Sequence, residues 1–126
     1  MTATDRSLEL ARAAAEAAAD RLAGEVLALD VSDQLVITDV FVLASGDSDR
    51  QVRAIVDAVE ERLRSIGASP VRREGLTEAR WVLLDYAEIV VHVQQAEDRR
   101  FYALERLWND CPVIELPESV RAGREA

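Results

Sequence analysis

Apolar residues recur along the chain at two spacings, and these spacings predict helices alternating with strands. The stretch from Asp5 to Gly24 has apolar residues at helical spacing and is rich in alanine, which has the highest helix propensity. A second helical pattern follows residue 47 and ends at Gly67. A third covers residues 98–110 and predicts four inward-facing side chains, those of Phe101, Leu104, Leu107 and Trp108.

Shorter apolar runs between these patterns predict strands. The predicted strands cover residues 25–31, 38–45, 69–75, 80–86 and 88–95. The run from Val40 to Ala44 is apolar at every position, which is typical of a strand covered on both faces. The third run contains Pro70, which cannot donate to a ladder and therefore favours the edge of a sheet. The very short connection at Ala87 predicts that the last two strands are antiparallel.

The order of the elements predicts the fold class. Helix, strand, strand, helix, three strands and helix is typical of a layered α/β or α+β domain, in which helices flank a five-stranded mixed sheet. We expect one domain over residues 1–110, because a chain of 126 residues is of the size of a single domain. Residues 111–126 contain two prolines and a charged end, and we expect a partly ordered C-terminal tail there.

The net charge of the chain restricts its partners. There are 24 Asp and Glu residues against 15 Lys and Arg residues, which gives a net charge of −9. Direct binding of DNA or RNA is disfavoured, because phosphate contacts need a basic cluster and the sequence has none larger than an arginine pair. An acidic domain can dock on a basic protein, although solubility alone also explains the charge.

The sequence also favours a cytoplasmic location. No apolar run approaches the roughly 18 residues that span a bilayer, and the N-terminus lacks the basic and apolar regions of a secretory signal. The single cysteine, Cys111, cannot form an internal disulfide and is typical of a reducing compartment. We therefore expect a cytoplasmic protein with no membrane contact.

The stretch VFVLASGDSDRQ, residues 40–51, is arranged like a phosphate-binding loop, because a predicted strand ends at a glycine before a helix. A phosphate cradle needs several glycines and a lysine, whereas this loop has Gly46 alone and two aspartates that would repel phosphate. Ser48 and Gln51 have the S-x-x-Q spacing of a capping box. The sequence therefore favours a helix start over a nucleotide site.

Few residues are candidates for catalysis. Asp47 and Asp49 have the D-x-D spacing of a two-metal site, but they lie on a turn that enters a helix. His92 is the only histidine, and it lacks the second histidine or cysteine that a metal site would need. We therefore expect no metal, no cofactor and no enzymatic activity. A nucleotidyltransferase-like enzyme is the alternative that the element order allows.

The predicted strand over residues 80–86 has the most informative pattern. Trp81, Leu83 and Asp85 lie on one face, and the residues between them lie on the other. If the second face packs on helices, the first can present an aromatic, an aliphatic and an acidic side chain. Tryptophan and tyrosine anchor protein interfaces more often than other residues do, although Trp81 is also explained as a core residue.

The chain resembles the ribosomal silencing factor family, RsfS, which is also called Iojap-like. The resemblance rests on ITDVFVLASGDSDRQV, REG, RWVLLDYAEIVVHV and RRFYALERLW, which occur in this order and cover residues 28–110. Two positions depart from the family pattern. Ala87 stands where glycine is common, and Gln94 stands where an aromatic residue or methionine is common.

The resemblance implies a function. It implies that the chain binds the large ribosomal subunit through its protein fourteen, blocks association with the small subunit sterically, and represses translation when nutrients are limiting. It also implies a homodimer and a nucleotidyltransferase-like fold without catalytic carboxylates. A protein-binding scaffold that acts away from ribosomes is a further alternative. The residues that the resemblance assigns to partner contact are Trp81, Asp85, Tyr86, Glu88, Glu74 and Arg80.

Other positions that match the family are interpreted as structural. We expect them to form the helix cap and a polar network between the last two strands and the last helix. These positions are Ser48, Arg50, His92, Arg100, Tyr102 and Glu105.

Overall fold

The computed structural model describes residues 2–120, and Met1 and residues 121–126 lie outside the description. The helices are α1 (Asp5–Asp20), α2 (Asp49–Ser65), α3 (Ala96–Tyr102) and α4 (Leu104–Leu107). The strands are β1 (Gly24–Asp30), β2 (Val40–Gly46), β3 (Arg72–Glu74), β4 (Trp81–Asp85) and β5 (Ile89–Gln95). Within this part of the chain, none of the helices has the length and apolar character needed to cross a membrane.

The strands form one mixed sheet in the order β1-β2-β5-β4-β3. β2 and β5 are parallel, and the other neighbouring strands are antiparallel. This arrangement confirms the predicted fold class and the predicted edge position of the short third strand. Because β2 and β5 run in the same direction, their carboxyl ends meet at one edge of the domain.

The long helices α1 and α2 cover one face of the sheet and form the main core with it. α1 buries mostly alanine on this side, and α2 buries larger aliphatic residues such as Ile55 and Leu63. Small alanine side chains let α1 lie close to both α2 and the sheet. The alternate residues of β4 and β5 that face these helices, including Leu84, Val91 and Val93, are fully or almost fully buried.

The second face of the sheet is covered only in part, by α3, α4 and the chain after them. The prediction of one continuous final helix is wrong, because Ala103 has a left-handed φ of 45° and separates α3 from α4. The break changes the direction of the side chains on either side of it. Leu104 is buried, but Phe101 is 79% exposed and Leu107 is 69% exposed. The prediction that Phe101 and Leu107 face inward is therefore wrong, and Trp108 is half-buried.

Residues 111–120, predicted as part of a tail, pack against the outer edge of β1. Two backbone hydrogen bonds of 2.9 Å join β1 to Pro112 and Ile114. The segment adds three apolar side chains to the main core, those of Ile114, Leu116 and Val120. These contacts protect part of an edge strand that would otherwise have open hydrogen-bonding groups. The last six residues of the predicted tail lie outside the described residues.

The start of α2 confirms that the loop after β2 caps a helix. The Ser48 hydroxyl accepts a hydrogen bond from the backbone N–H of Gln51 at 3.1 Å. The Gln51 side-chain oxygen accepts from the backbone N–H of Asp47 at 2.7 Å, one residue earlier than the capping box predicts. The Gln51 amide also donates to the carbonyls of Arg21 and Leu22. Gln51 therefore fastens the start of α2 to the end of α1.

Gly75, between β3 and β4, has a φ of +82°, and a β-carbon there would overlap the carbonyl of Trp81. We predict that Gly75→Ala lowers the free energy of unfolding by more than ~2 kcal/mol, because steric overlap adds to the cost of a positive φ. Gly67→Ala is the matched control, since its φ of +89° is similar but the nearest atom, on Arg6, is 3.7 Å from the added carbon. Urea unfolding measures both losses, and equal losses would contradict this prediction.

Candidate functional site

The outer face of β4 brings together three of the side chains singled out in the sequence. Trp81, Leu83 and Asp85 are half-buried and point away from α1 and α2. The residues between them, Val82 and Leu84, are buried in the main core. The alternation predicted for this strand is therefore confirmed, and its outer face is open enough to meet a partner.

The end of α3 extends this surface with two aromatic side chains. The ring of Tyr102 lies 4.9 Å from that of Trp81, and the ring of Phe101 lies 5.0 Å from that of Tyr102. Both residues of α3 are exposed. The surface formed by Trp81, Leu83, Asp85, Phe101 and Tyr102 is called the hairpin face below. The contribution of Phe101 is not predictable from the helical pattern, because that pattern does not show the break at Ala103.

Trp81 is held in place from inside the protein. Its indole N–H donates a hydrogen bond to Nδ1 of His92, on the neighbouring strand β5, at 3.2 Å. Phe41 packs edge-on against His92 at 4.9 Å and against Trp108 at 5.3 Å. These rings form a row across β2, β5 and β4, and edge-to-face pairs of this kind add stability beyond the area they bury. The indole N–H of Trp81 is already hydrogen-bonded inside the protein, so only the face and edges of the ring are available to a partner.

His92 is buried and neutral. Its Nδ1 accepts the hydrogen bond from the indole, so the proton of the neutral ring is on Nε2, which has no hydrogen-bond partner among the described residues. Burial, and then the positive charge of Arg99, lower the pKa of His92 from 6.5 to about 4. The expected structural role of this histidine agrees with its position behind Trp81.

Asp85 holds the turn between β4 and β5. Its carboxylate accepts a hydrogen bond from the backbone N–H of Ala87 at 2.9 Å, and Ala87 has a positive φ of 71°. The second carboxylate oxygen lies 3.7 Å from the guanidinium of Arg72, which is also 3.3 Å from Glu74. Ion pairs this exposed contribute little to stability. The charge of Asp85 is therefore partly accessible and only partly neutralised.

The other residues predicted to contact a partner lie around the hairpin face, except for one. Glu74 and Glu88 are exposed, on β3 and in the β4–β5 turn. Arg80 is exposed and donates two hydrogen bonds, of 2.9 and 3.0 Å, to the carboxylate of Asp98 at the start of α3. Tyr86 faces the main core and is only 3% exposed, because it continues the inward alternation of β4. Burial raises the pKa of Tyr86 to about 12, and its side chain supports the turn from inside.

One member of the acidic pair considered for metal binding, Asp49, has local partners. Asp49 accepts a hydrogen bond from the backbone N–H of Arg50 at 2.9 Å and lies 3.4 Å from Arg53. Among residues 2–120, no group of three or more His, Cys, Asp and Glu side chains is arranged to hold a metal ion. Glu105 pairs with Arg99 at 3.1 Å, which joins α4 to α3, so this ion pair is not the polar network that was expected between the last two strands and the last helix.

Comparison with protein families places these features in context. Residues 4–126 match the family model described as "Ribosomal silencing factor during starvation". Proteins named "Ribosomal silencing factor RsfS" from Bacillus subtilis and Halalkalibacterium halodurans are 40% and 39% identical to the chain. The matches cover 82% and 86% of this chain and 87% and 92% of the relatives. These names describe a regulatory factor.

Solved structures are also similar to this chain over most of its length. A crystal structure of a protein from Chromobacterium violaceum is similar to this chain with a TM-score of 0.77 and 35% identity, over 80% of this chain and 84% of that one. A crystal structure from Bacillus halodurans has a TM-score of 0.75 and 37% identity, over 86% of this chain and 98% of that one. Similarity therefore covers most of the length of both chains.

The lowered pKa of His92 predicts how stability depends on pH. The folded state disfavours the protonated ring of His92. The contribution of the neutral ring to the free energy of unfolding is therefore complete above pH 6.5 and is lost as the pH falls toward about 4. We expect acidification from about pH 7 to pH 4.5 to cost the wild type ~2 kcal/mol more than His92→Gln, in which glutamine can still accept from Trp81. Urea unfolding between about pH 7 and pH 4.5 measures the difference. Parallel losses in the two proteins would contradict it.

Proposed function

The chain belongs to the family of ribosomal silencing factors, and we propose that it binds the large ribosomal subunit and thereby blocks association with the small subunit. We propose that the contact is made with ribosomal protein fourteen, as the family resemblance implies. Translation would then be repressed when nutrients are limiting. No bond is made or broken in this mechanism, because the factor acts by occupying space.

The hairpin face is the observation that carries this proposal. It combines a fixed tryptophan, two exposed aromatic residues on α3, an aliphatic residue and a carboxylate. Exposed aromatic groups of this kind are more frequent in interfaces than on the rest of a protein surface. Because Trp81 is held by His92, it loses little side-chain freedom on binding, which lowers the entropic cost of association.

The charge of the chain supports a protein partner that is basic. Asp85, Glu74 and Glu88 lie on or beside the hairpin face, and Arg72 neutralises this group only in part. Together with the net charge of −9, they favour encounter with a cationic surface. The same charge disfavours binding to ribosomal RNA, so the factor would recognise a ribosomal protein and avoid the surrounding phosphates.

The proposal includes the oligomeric state and the location. We propose that the free chain is a homodimer, as the resemblance implies, and that it acts in the cytoplasm, where the subunits meet. Exposed apolar residues outside β4, such as Leu107 and Val113, offer a second copy an apolar surface. A dimer that covered the hairpin face would have to open before docking on the subunit.

Asp85 provides a direct test of the contact. We predict that Asp85→Lys weakens binding to large subunits by ~2–5 kcal/mol, because a lysine would face the cations of the partner in a desolvated contact. Asp85→Asn is the matched control, since an asparagine oxygen can still accept from Ala87 and only the charge is lost. Co-sedimentation of each variant with purified large subunits measures the affinity. Unchanged binding by a folded Asp85→Lys protein would exclude Asp85 from the interface.

The apolar part of the hairpin face is tested in the same sedimentation assay. Phe101→Ser should weaken binding without a loss of stability, because the side chain is already exposed in the free protein. Leu22→Ser is its matched control, since Leu22 is also highly exposed but lies after α1, away from β4. If both serine variants bind large subunits as tightly as the wild type does, α3 does not take part in docking.

A further inference from the structure

A cleft separates the start of β1 from α3 and α4. Its volume is about 520 Å³, and its walls are the backbone and side chains of residues 22–27 on one side and Arg99 and Glu105 on the other. Gly24 pairs with Ser45 near the end of β2, and Ser45 pairs with Gln94 near the end of β5. The cleft therefore lies near the carboxyl ends of two parallel strands, which is where open α/β sheets usually bind ligands.

The cleft contains a buried ion pair with unused hydrogen-bonding capacity. Nε of Arg99 donates to one oxygen of Glu105 at 3.1 Å, and Arg99 is only 2% exposed. Nη1 of Arg99 and the second oxygen of Glu105 are buried and have no hydrogen-bond partner among the described residues. Buried polar groups are normally hydrogen-bonded, so these two atoms need an explanation.

A third buried polar group lies in the row of the sheet that borders the cleft. Gln94 is fully buried, and both atoms of its side-chain amide lack a hydrogen-bond partner among the described residues. It is in the same row of the sheet as Gly24, which lines the cleft. The position is also one where the sequence departs from the family resemblance, because an apolar residue is common there. The amide adds a further donor and a further acceptor on this side of the sheet.

The charges of the free atoms define the class of ligand. Nη1 of Arg99 is a cationic donor that suits a carboxylate, and the free oxygen of Glu105 is an anionic acceptor that suits an ammonium group. A phosphate would be repelled by Glu105 and by Glu25, which also lines the cleft, and a simple cation would leave the free donor of Arg99 unpaired. A ligand that carries a carboxylate and an ammonium group close together matches both Arg99 and Glu105. Leu22 and Leu27 add apolar wall to the same cleft, whereas the side chain of Val26 is buried in the main core.

We propose that this cleft is a binding site for a free α-amino acid with an apolar side chain. The α-carboxylate of the ligand binds Arg99, and its α-ammonium group binds Glu105, after the two side chains turn toward the cleft, because neither free atom has accessible surface in the unliganded chain. The side chain of the amino acid lies against residues 22–27. The volume of the cleft is within the range of roughly 300–1,000 Å³ that is usual for small-molecule sites. The proposal is independent of ribosome binding, since none of its contacts belongs to the hairpin face.

Calorimetric titration of the full chain tests the site. Leucine, isoleucine, valine and methionine are titrated separately, with 4-methylpentanoate as the analogue without an ammonium group and 3-methylbutylamine as the analogue without a carboxylate. We expect at least one amino acid to bind with a Kd below ~1 mM, and both analogues to bind at least ~10-fold more weakly, since each forms only one of the two charge-assisted contacts. If no amino acid binds, or if an analogue binds equally well, the proposal is wrong.

Two variants locate the binding to this cleft. Glu105→Gln should weaken amino-acid binding at least ~10-fold but should not weaken the binding of 4-methylpentanoate, because only the ammonium contact depends on this carboxylate and its loss removes a repulsion of the anion. Ala23→Leu should weaken both by filling the cleft without touching the ion pair. Thermal unfolding establishes that each variant is folded. Full amino-acid affinity in both folded variants would show that the site is elsewhere and would overturn the proposal.

Discussion

The sheet has two faces that must be shielded from water, and the chain supplies long helices for only one of them. α1 and α2 bury the inner residues of β4 and β5 completely. The other face is left to two short helices and the chain after them, which shield the row of rings from Phe41 to Trp81 only in part. This unequal coverage leaves Trp81 and its neighbours at the surface, and the proposed docking function depends on it.

The two edges of this poorly covered face differ in chemistry. At the β4 side, rings and a carboxylate form a partly exposed surface that suits a protein partner. At the β1 side, Arg99 and Glu105 line a concave cleft that suits a small molecule. α3 contributes to both, since Arg99 and Phe101 are two residues apart. A single short helix therefore connects the surface proposed for ribosome binding to the site proposed for an amino acid.

Local patterns predicted much of the fold, because helical and alternating spacings reflect which side chains are buried. The capping role of Ser48 and the shared face of Trp81 and Asp85 were accessible in this way. The break at Ala103 was not, because alanine normally favours a helix and its left-handed conformation depends on tertiary packing. Phe101 was therefore placed in the core, and the packing of residues 111–120 on β1 was missed since it depends on contacts distant in sequence. The cleft is lined by segments that are distant in the sequence, so no local pattern predicts it.

Steric separation of the ribosomal subunits is the central claim, and a sucrose-gradient profile tests it most directly. Purified large and small subunits are mixed under conditions that favour association, with increasing amounts of this protein. We predict a dose-dependent rise of free subunits at the expense of whole ribosomes, with the protein migrating in the large-subunit fractions. An unchanged proportion of whole ribosomes at saturating protein would contradict the account.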